Sequence, residues 1–90
     1  MKWEELIGKP VKVVWEDPET VPGWVIDPDG EAYFPPIYSY GVLLKVTEKA
    51  VLIASTEAPE HKQVADVGKF PTGCVLDIIE VEDRGYVNGD

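Results

Sequence analysis

Two apolar runs joined by a short polar connector constrain the fold of this chain more than any other feature. Residues 41–46 and 50–54 are rich in Val, Leu and Ile, and residues 47–49 separate them. Runs of this length around a short polar connector predict a β-hairpin, which we place at the core because it is the most apolar stretch. Strict alternation then puts Val42, Leu44 and Val46 on one face, with Leu43 and Lys45 on the other.

Three further strands are expected around this hairpin. Residues 11–15 alternate with Val11, Val13 and Trp15 on one face, and residues 63–70 and 74–81 form the fourth and fifth strands. Residues 3–7 favour a short helical turn that Gly8 and Pro10 would end.

Five short strands, a long insertion after the first and a tight break before the last predict an all-β fold. We expect a small five-stranded, partly open barrel of SH3-like or Sm-like type. An OB-fold would need a helix between its third and fourth strands, and residues 57–62 are too short for one. The chain reads as a single domain over residues 1–90, with residues 84–90 as a polar tail that frays.

The segment between the first two strands is unusual. Its prolines exclude a central strand, and they are Pro18, Pro22, Pro28, Pro35 and Pro36. Residues 27–30 carry a turn signal, and the flanks 24–26 and 31–34 are predicted to pair across it as a small hairpin. Long loops in compact domains are often functional.

The charge of the chain limits its partners. The net charge is −9, and no basic residue lies between Lys12 and Lys45. Nucleic acids and anionic lipid surfaces are bound through Lys and Arg, so this balance argues against both. Solubility accounts for the charge most simply, and a cationic partner is the alternative. One cysteine and the lack of an apolar N-terminal or membrane-spanning run lead us to expect a cytoplasmic protein.

The residues that usually carry chemistry are sparse. Nothing in the sequence pairs His61 with Cys74; we expect His61 in a solvated loop and Cys74 in the core, and therefore neither an enzyme nor a cofactor. The stretch from Asp27 to Glu31 has the oxygen ligands of a partial calcium loop, but Pro28 and the missing ligands favour a plain turn. Zinc would need clustered His or Cys.

Aromatic and acidic side chains in and beside the long loop are the best functional lead. The candidates are Trp24, Tyr33, Phe34, Tyr38 and Tyr40, together with Asp17, Asp27, Asp29 and Glu31. Such a set suits a groove for basic or proline-rich peptides, or a cation site that uses ring faces. The alternative is that the rings cover the barrel mouth as a small core. For Trp24, Tyr33 and Phe34 the sequence favours neither burial nor exposure. For Trp15, alternation favours burial.

A resemblance rests on spaced residues across 11–81. They are Trp15 with Asp17, then Trp24, then Ser39-x-Gly41-x-Leu43, then Val51-Leu52-Ile53-Ala54, then Phe70-Pro71-x-x-Cys74-Val75-x-x-Ile78. This pattern resembles a group of small uncharacterised bacterial and bacteriophage proteins. The resemblance implies an SH3-like barrel and a phage or mobile-element origin, and it implies no activity.

A looser similarity is to Sm-like proteins. Gly41-Val42-Leu43 and Gly73-Cys74-Val75 resemble motifs in two strands of that fold. The predicted N-terminal helical turn resembles its short N-terminal helix. The Sm pattern has an Asn where this chain has Ser55-Thr56, and Arg-Gly or Lys-Gly where it has Thr72-Gly73. The positions that contact RNA are therefore absent.

Taken together, these features predict a non-enzymatic binding or adaptor protein that engages a protein partner through residues 16–40. The alternatives are a Sm-like oligomer that binds RNA and a structural or accessory component of a phage. A small open barrel also leaves unpaired strand edges, through which copies could associate.

Overall fold

The computed structural model describes residues 2–19 and 23–82, and it consists of five antiparallel strands in one sheet. The strands are β1 (Pro10–Trp15), β2 (Ile37–Val46), β3 (Ala50–Ala58), β4 (Gln63–Pro71) and β5 (Val75–Glu80). Their spatial order is β4-β3-β2-β1-β5, and β4 does not pair with β5 within the described residues. This architecture confirms the prediction of an all-β, five-stranded, partly open barrel.

The sheet changes partners halfway along β2. The first half of β2 pairs with β1, from Ile37 opposite Trp15 to Val42 opposite Pro10. The second half pairs with β3, from Val42 opposite Ala54 to Val46 opposite Val51. Because one long strand serves two layers in turn, the sheet folds over on itself instead of remaining flat.

Gly41 lies where the two layers cross. A Cβ atom built on Gly41 would lie 2.6 Å from the carbonyl oxygen of Ala54. Only a residue without a side chain allows this approach of two backbones. The glycine therefore permits the fold-over that closes the barrel on this side.

The core lies between the two layers. Its buried members are Val11, Val13, Leu43, Val51, Ile53, Phe70, Val75 and Ile78, and Trp3, Leu6, Trp15 and Val46 pack against them. Each buried aliphatic side chain contributes about 1.5–3 kcal/mol relative to an exposed one. The alternation predicted for β1 is confirmed, since Val11 and Val13 belong to the buried core and Trp15 packs against it.

The alternation predicted for β2 is wrong after Leu43. Leu43 pairs with Ile53 and Lys45 with Leu52, so Leu44 is an extra residue that forms a β-bulge. A bulge shifts the side-chain direction by one position. Leu43 and Val46 consequently both face the core, although strict alternation would separate them.

The N-terminal segment docks on β2. It forms a 3-10 turn over Lys2–Leu6, close to the predicted helical turn, and Gly8 ends it with a φ of 90°. The Gly8 N–H donates to the Leu43 carbonyl at 2.8 Å, and the Leu43 N–H donates to the Lys9 carbonyl at 3.0 Å. These bonds hold Trp3 and Leu6 against the core.

The two short connections near the hairpin are tied together. The Thr47 hydroxyl accepts from the backbone N–H of Lys49 and of Ala50, at 3.1 and 3.0 Å. The Thr72 hydroxyl donates to the Thr47 carbonyl at 2.9 Å, and the Thr72 N–H donates to the Lys49 carbonyl at 3.0 Å. The β2–β3 turn thus anchors the break between β4 and β5.

Cys74 and residues 57–62 differ from expectation. Cys74 lies in a 3-10 turn, Thr72–Cys74, and is half-buried outside the core, because β5 begins one residue later than predicted. Strand β3 extends to Ala58, and a 3-10 turn, Pro59–His61, follows it. His61 is exposed, as predicted.

The predicted long loop joins β1 to β2, but the hairpin predicted inside it is wrong. Pro28–Glu31 forms a 3-10 turn, and neither flank is a strand. The Asp27 carboxylate accepts a hydrogen bond from the Gly30 N–H at 3.4 Å. Asp27 caps the turn and Pro28 begins it, and these local preferences favour the turn over strand pairing of its two flanks.

No helix in the described ranges is long and apolar enough to cross a bilayer. Residues 84–90 lie outside those ranges.

Candidate binding surface on the long loop

The predicted site residues fall in three places. Trp24 and Tyr33 lie on the long loop, 101% and 72% exposed, while Phe34 is at the margin with 37%. Tyr38 and Tyr40 belong to β2, because that strand begins at Ile37, directly after the proline pair. The carboxylates of Asp17, Asp27 and Asp29 are exposed, and the side chain of Glu31 is outside the described part of the structure. Exposure argues against the alternative that Trp24 and Tyr33 form a small core.

A shallow recess of about 180 Å³ brings part of this set together. We call it the loop recess, and its lining residues are Glu16, Asp17, Pro18, Phe34, Gly73 and Cys74. The backbone N–H of Glu16 donates to the Cys74 carbonyl at 2.9 Å, which fixes the start of the loop against the turn before β5. Phe34 reaches the same place from the other end of the loop.

The loop recess is acidic and partly aromatic. Glu16 is half-buried and Asp17 is exposed, and no basic side chain is among the described lining residues. Carboxylates attract cations through charge, and an aromatic ring attracts them through its face. Of the predicted site residues, Asp17 and Phe34 line the recess.

Four lining residues of the recess were not among the predicted site residues: Glu16, Pro18, Gly73 and Cys74. Glu16 and Pro18 flank Asp17 in the sequence. Gly73 and Cys74 belong to a turn far along the chain, and Cys74 was expected in the core. The only signal for the turn was the Pro-Thr-Gly break at residues 71–73.

Trp15 has a structural role. Its indole Nε1 donates to the Ser39 hydroxyl at 3.0 Å, and its ring centroid lies 5.1 Å from that of Phe70, with the planes inclined by 55°. This tilted contact joins β1 to β4 across the barrel interior. Trp15 is half-buried, so the prediction that it faces inward is confirmed, and it does not line the loop recess.

Tyr38 and Tyr40 lie on the outer face of the sheet. Lys12 is opposite Tyr40 in the register, and its Nζ lies 4.7 Å from the centroid of the Tyr38 ring. A cation over a ring at this distance contributes about 0.5–1 kcal/mol at an exposed site. The two tyrosines are therefore separated from the loop recess, with which the sequence had grouped them.

The tip of the long loop presents an apolar patch. Trp24 and Ile26 are 101% and 99% exposed, and Val25 between them is 41% exposed. Asp27 and Asp29 follow directly and are exposed as well. These residues form an exposed apolar patch with acids beside it.

Residues with catalytic or metal-binding potential are dispersed. His61 lies in the turn after β3, whereas Cys74 lines the loop recess. Across the described residues, no three His, Cys, Asp or Glu side chains are grouped as metal ligands would be.

Comparisons with models of known protein families, with curated proteins and with solved structures find no match for this chain.

Proposed function

We propose that this chain is a small, non-enzymatic, cytoplasmic binding protein that engages a protein partner through its long loop. The loop recess would take a Lys or Arg side chain from an extended, proline-rich or basic segment of that partner. The observation that carries this proposal is the convergence of Glu16, Asp17 and Phe34 in one recess.

The size of the recess supports a side chain as its occupant. Its volume of about 180 Å³ is smaller than the roughly 300–1,000 Å³ of typical small-molecule sites. Phe34 and Pro18 supply apolar walls for the methylene stem of a long basic side chain, while the carboxylates meet its charged end. Proline-rich segments also suit aromatic-lined grooves, because they are already extended before they bind.

The apolar loop tip supports a protein rather than an ion as the partner. A buried Trp removes about 150–250 Å² from water, which corresponds to roughly 4–6 kcal/mol at 25 cal/mol per Å². Trp24 is fully exposed in the free protein, so this stabilisation becomes available only when a partner covers the tip. The recess would then give selectivity for positive charge, and the tip would give affinity.

A direct test is binding of fluorescein-labelled peptides measured by anisotropy. The probes are proline-rich peptides carrying arginine and otherwise identical peptides carrying glutamate. We expect the arginine peptides to bind with an affinity that falls as salt rises. Equal binding of both sets, no saturable binding, or preferential binding of an RNA oligonucleotide would contradict the proposal.

Matched variants locate the binding site. Phe34→Ala should weaken the arginine peptide about tenfold, as loss of a buried aromatic anchor does. Asp17→Asn should weaken it about two- to fivefold, as loss of an exposed ion pair does. Tyr33→Ala and Glu60→Gln are the controls, because Tyr33 is exposed on the same loop, Glu60 is exposed in the turn after β3, and neither residue lines the recess. Equal effects of each variant and its control would argue against the recess.

A further inference from the structure

A cleft of about 190 Å³ lies where strands β2 and β3 separate. The last pair that joins them is Val42 opposite Ala54; from there β2 runs with β1, and β3 runs with β4. We call it the fork cleft, and it is lined by Ser39, Ile53, Ser55, Asp66, Gly68 and Phe70, together with Tyr40. None of these residues lines the loop recess.

The floor of the fork cleft is apolar, and a glycine leaves it uncovered. Ile53 and Phe70 are buried, and Gly68 lies opposite Ile53 in the register of β3 and β4. A Cβ atom built on Gly68 would lie 3.3 Å from the Phe70 Cε2 and 3.6 Å from the Ile53 Cγ1. A side chain at this position would therefore cover the floor, and its absence leaves room for an apolar group from outside.

Asp66 is exposed at the rim and gives the fork cleft its charge. Its carboxylate accepts a hydrogen bond from the Thr56 hydroxyl at 2.7 Å, and its carbonyl oxygen accepts one from the Ser55 hydroxyl at 3.1 Å. Its φ is 54°, and residues other than glycine that are held in such conformations cluster at ligand sites. No basic side chain is among the described lining residues, so a cation from outside would meet a carboxylate without a cationic neighbour in the cleft.

The hydroxyl groups of the fork cleft can accept further hydrogen bonds. The Ser55 hydroxyl donates its hydrogen to the Asp66 carbonyl, so its oxygen keeps both lone pairs. The Ser39 hydroxyl accepts from the Trp15 Nε1 at 3.0 Å and keeps a second lone pair. A primary ammonium group has three donors and no acceptor. The polar groups of the cleft therefore suit an ammonium group better than an anion.

We propose that the fork cleft binds a primary ammonium group on a short apolar chain, with the chain against Ile53 and Phe70 and the ammonium beside the Asp66 carboxylate. A cavity of about 150 Å³ holds one benzene molecule, so a cleft of about 190 Å³ has room for a pentylammonium ion. The site uses side chains of β3 and β4 and the Ser39 hydroxyl, and it needs no backbone group of β2. It is separate from the loop recess and does not rest on the function proposed for that recess.

Amide chemical shifts titrated with n-pentylammonium chloride test the site. The ligand control is 1-pentanol, which has the same chain and no charge. We expect saturable shifts at residues 39, 53–56 and 66–70, and binding of the alcohol that is weaker by about two- to fivefold, as loss of an exposed ion pair implies. A second pair of probes, N-acetyl-lysine methylamide and its norleucine analogue, tests whether a lysine side chain of a protein can supply the ammonium group.

Two variants locate the ligand in the fork cleft. Asp66→Asn keeps the backbone, because Asn tolerates a positive φ, and it should remove the preference for the ammonium over the alcohol. Gly68→Ala places a methyl group on the floor and should weaken both ligands about tenfold, the low end of what one methylene changes in an apolar pocket. Glu60→Gln and Gly73→Ala are the matched controls, because neither residue lines the cleft. Thermal unfolding checks that each variant is folded.

The positions of the shifts separate this site from the loop recess. Ammonium binding at the fork cleft that both variants weaken and both controls leave unchanged supports the proposal, whether or not the arginine peptides bind the recess. Tighter binding of the free ion than of the blocked lysine assigns the ligand to a small amine, and the reverse assigns it to a protein side chain. No saturable binding, equal binding of alcohol and ammonium, or shifts confined to residues 16–18, 34, 73 and 74 would overturn the proposal.

Discussion

Gly41→Ala tests whether β3 crosses β2 as closely as the structure shows. A Cβ atom at this position would lie 2.6 Å from the Ala54 carbonyl oxygen, 3.1 Å from the Ala54 carbonyl carbon and 3.2 Å from the Ile53 Cβ. Two of these atoms belong to the backbone and the third is the first carbon of a side chain. No change of rotamer can relieve the contact, so one strand would have to move.

The expected loss of stability combines two opposing effects. Overpacking a close contact costs about 1–3 kcal/mol. Alanine is more favourable than glycine in a strand by roughly 0.5–1 kcal/mol, which offsets part of that cost. We therefore expect Gly41→Ala to lower the free energy of unfolding by up to about 2.5 kcal/mol, with a midpoint of about 1.3 kcal/mol, which corresponds to a Tm lower by about 5–10 °C at ~4–8 °C per kcal/mol.

Gly73→Ala is the matched control. A Cβ atom on Gly73 would have no atom within 4 Å, and its backbone is not in the left-handed region. This substitution should leave stability unchanged or raise it by up to about 1 kcal/mol. Urea unfolding followed by tryptophan fluorescence measures both variants, since Trp15 packs against the core. Equal stabilities of the two variants would refute the close crossing.

Two further predictions concern side-chain hydrogen bonds. Ser39→Ala should destabilise the protein by about 1–3 kcal/mol, because it leaves the half-buried Trp15 indole N–H without its acceptor. The hydrogen bond is confirmed if the double variant Ser39→Ala, Trp15→Phe loses less stability than the sum of the two single variants. Strict additivity of the two losses would contradict it. Thr47→Ala should lower the free energy of unfolding by about 0.5–2 kcal/mol, since it removes the hydroxyl that accepts from the N–H groups of Lys49 and Ala50. Thr47→Ser keeps the hydroxyl and should retain most of the wild-type stability in urea unfolding. An equal loss in Thr47→Ser would assign the effect to the methyl group.

Local pattern was sufficient for most of the fold. The apolar runs at residues 41–46 and 50–54, and the alternation of β1, predict strands that the structure contains. These signals depend on neighbours within a few residues, as side-chain alternation and turn hydrogen bonds do. The same local physics explains the failed hairpin in the loop, where capping of Pro28–Glu31 by Asp27 was the stronger local preference.

Pairing between distant segments decided the rest. The bulge at Leu44 depends on how β2 meets β3, and alternation along a single strand contains no sign of it. The assignment of Tyr38 to β2 likewise depends on Val14, its partner in β1. In both cases the place of a residue in the sheet is set by pairing with a strand that is distant in the sequence.

The candidate site shows the same division. The sequence determined the chemistry, a loop rich in acids and aromatic rings with no basic residue among them. Only the tertiary structure decided that Asp17 and Phe34 meet beside Gly73, while Tyr38 lies on another face. The reason is physical: composition acts through short-range preferences, whereas convergence requires the bond between Glu16 and Cys74 and the register of the strands that bring those residues together.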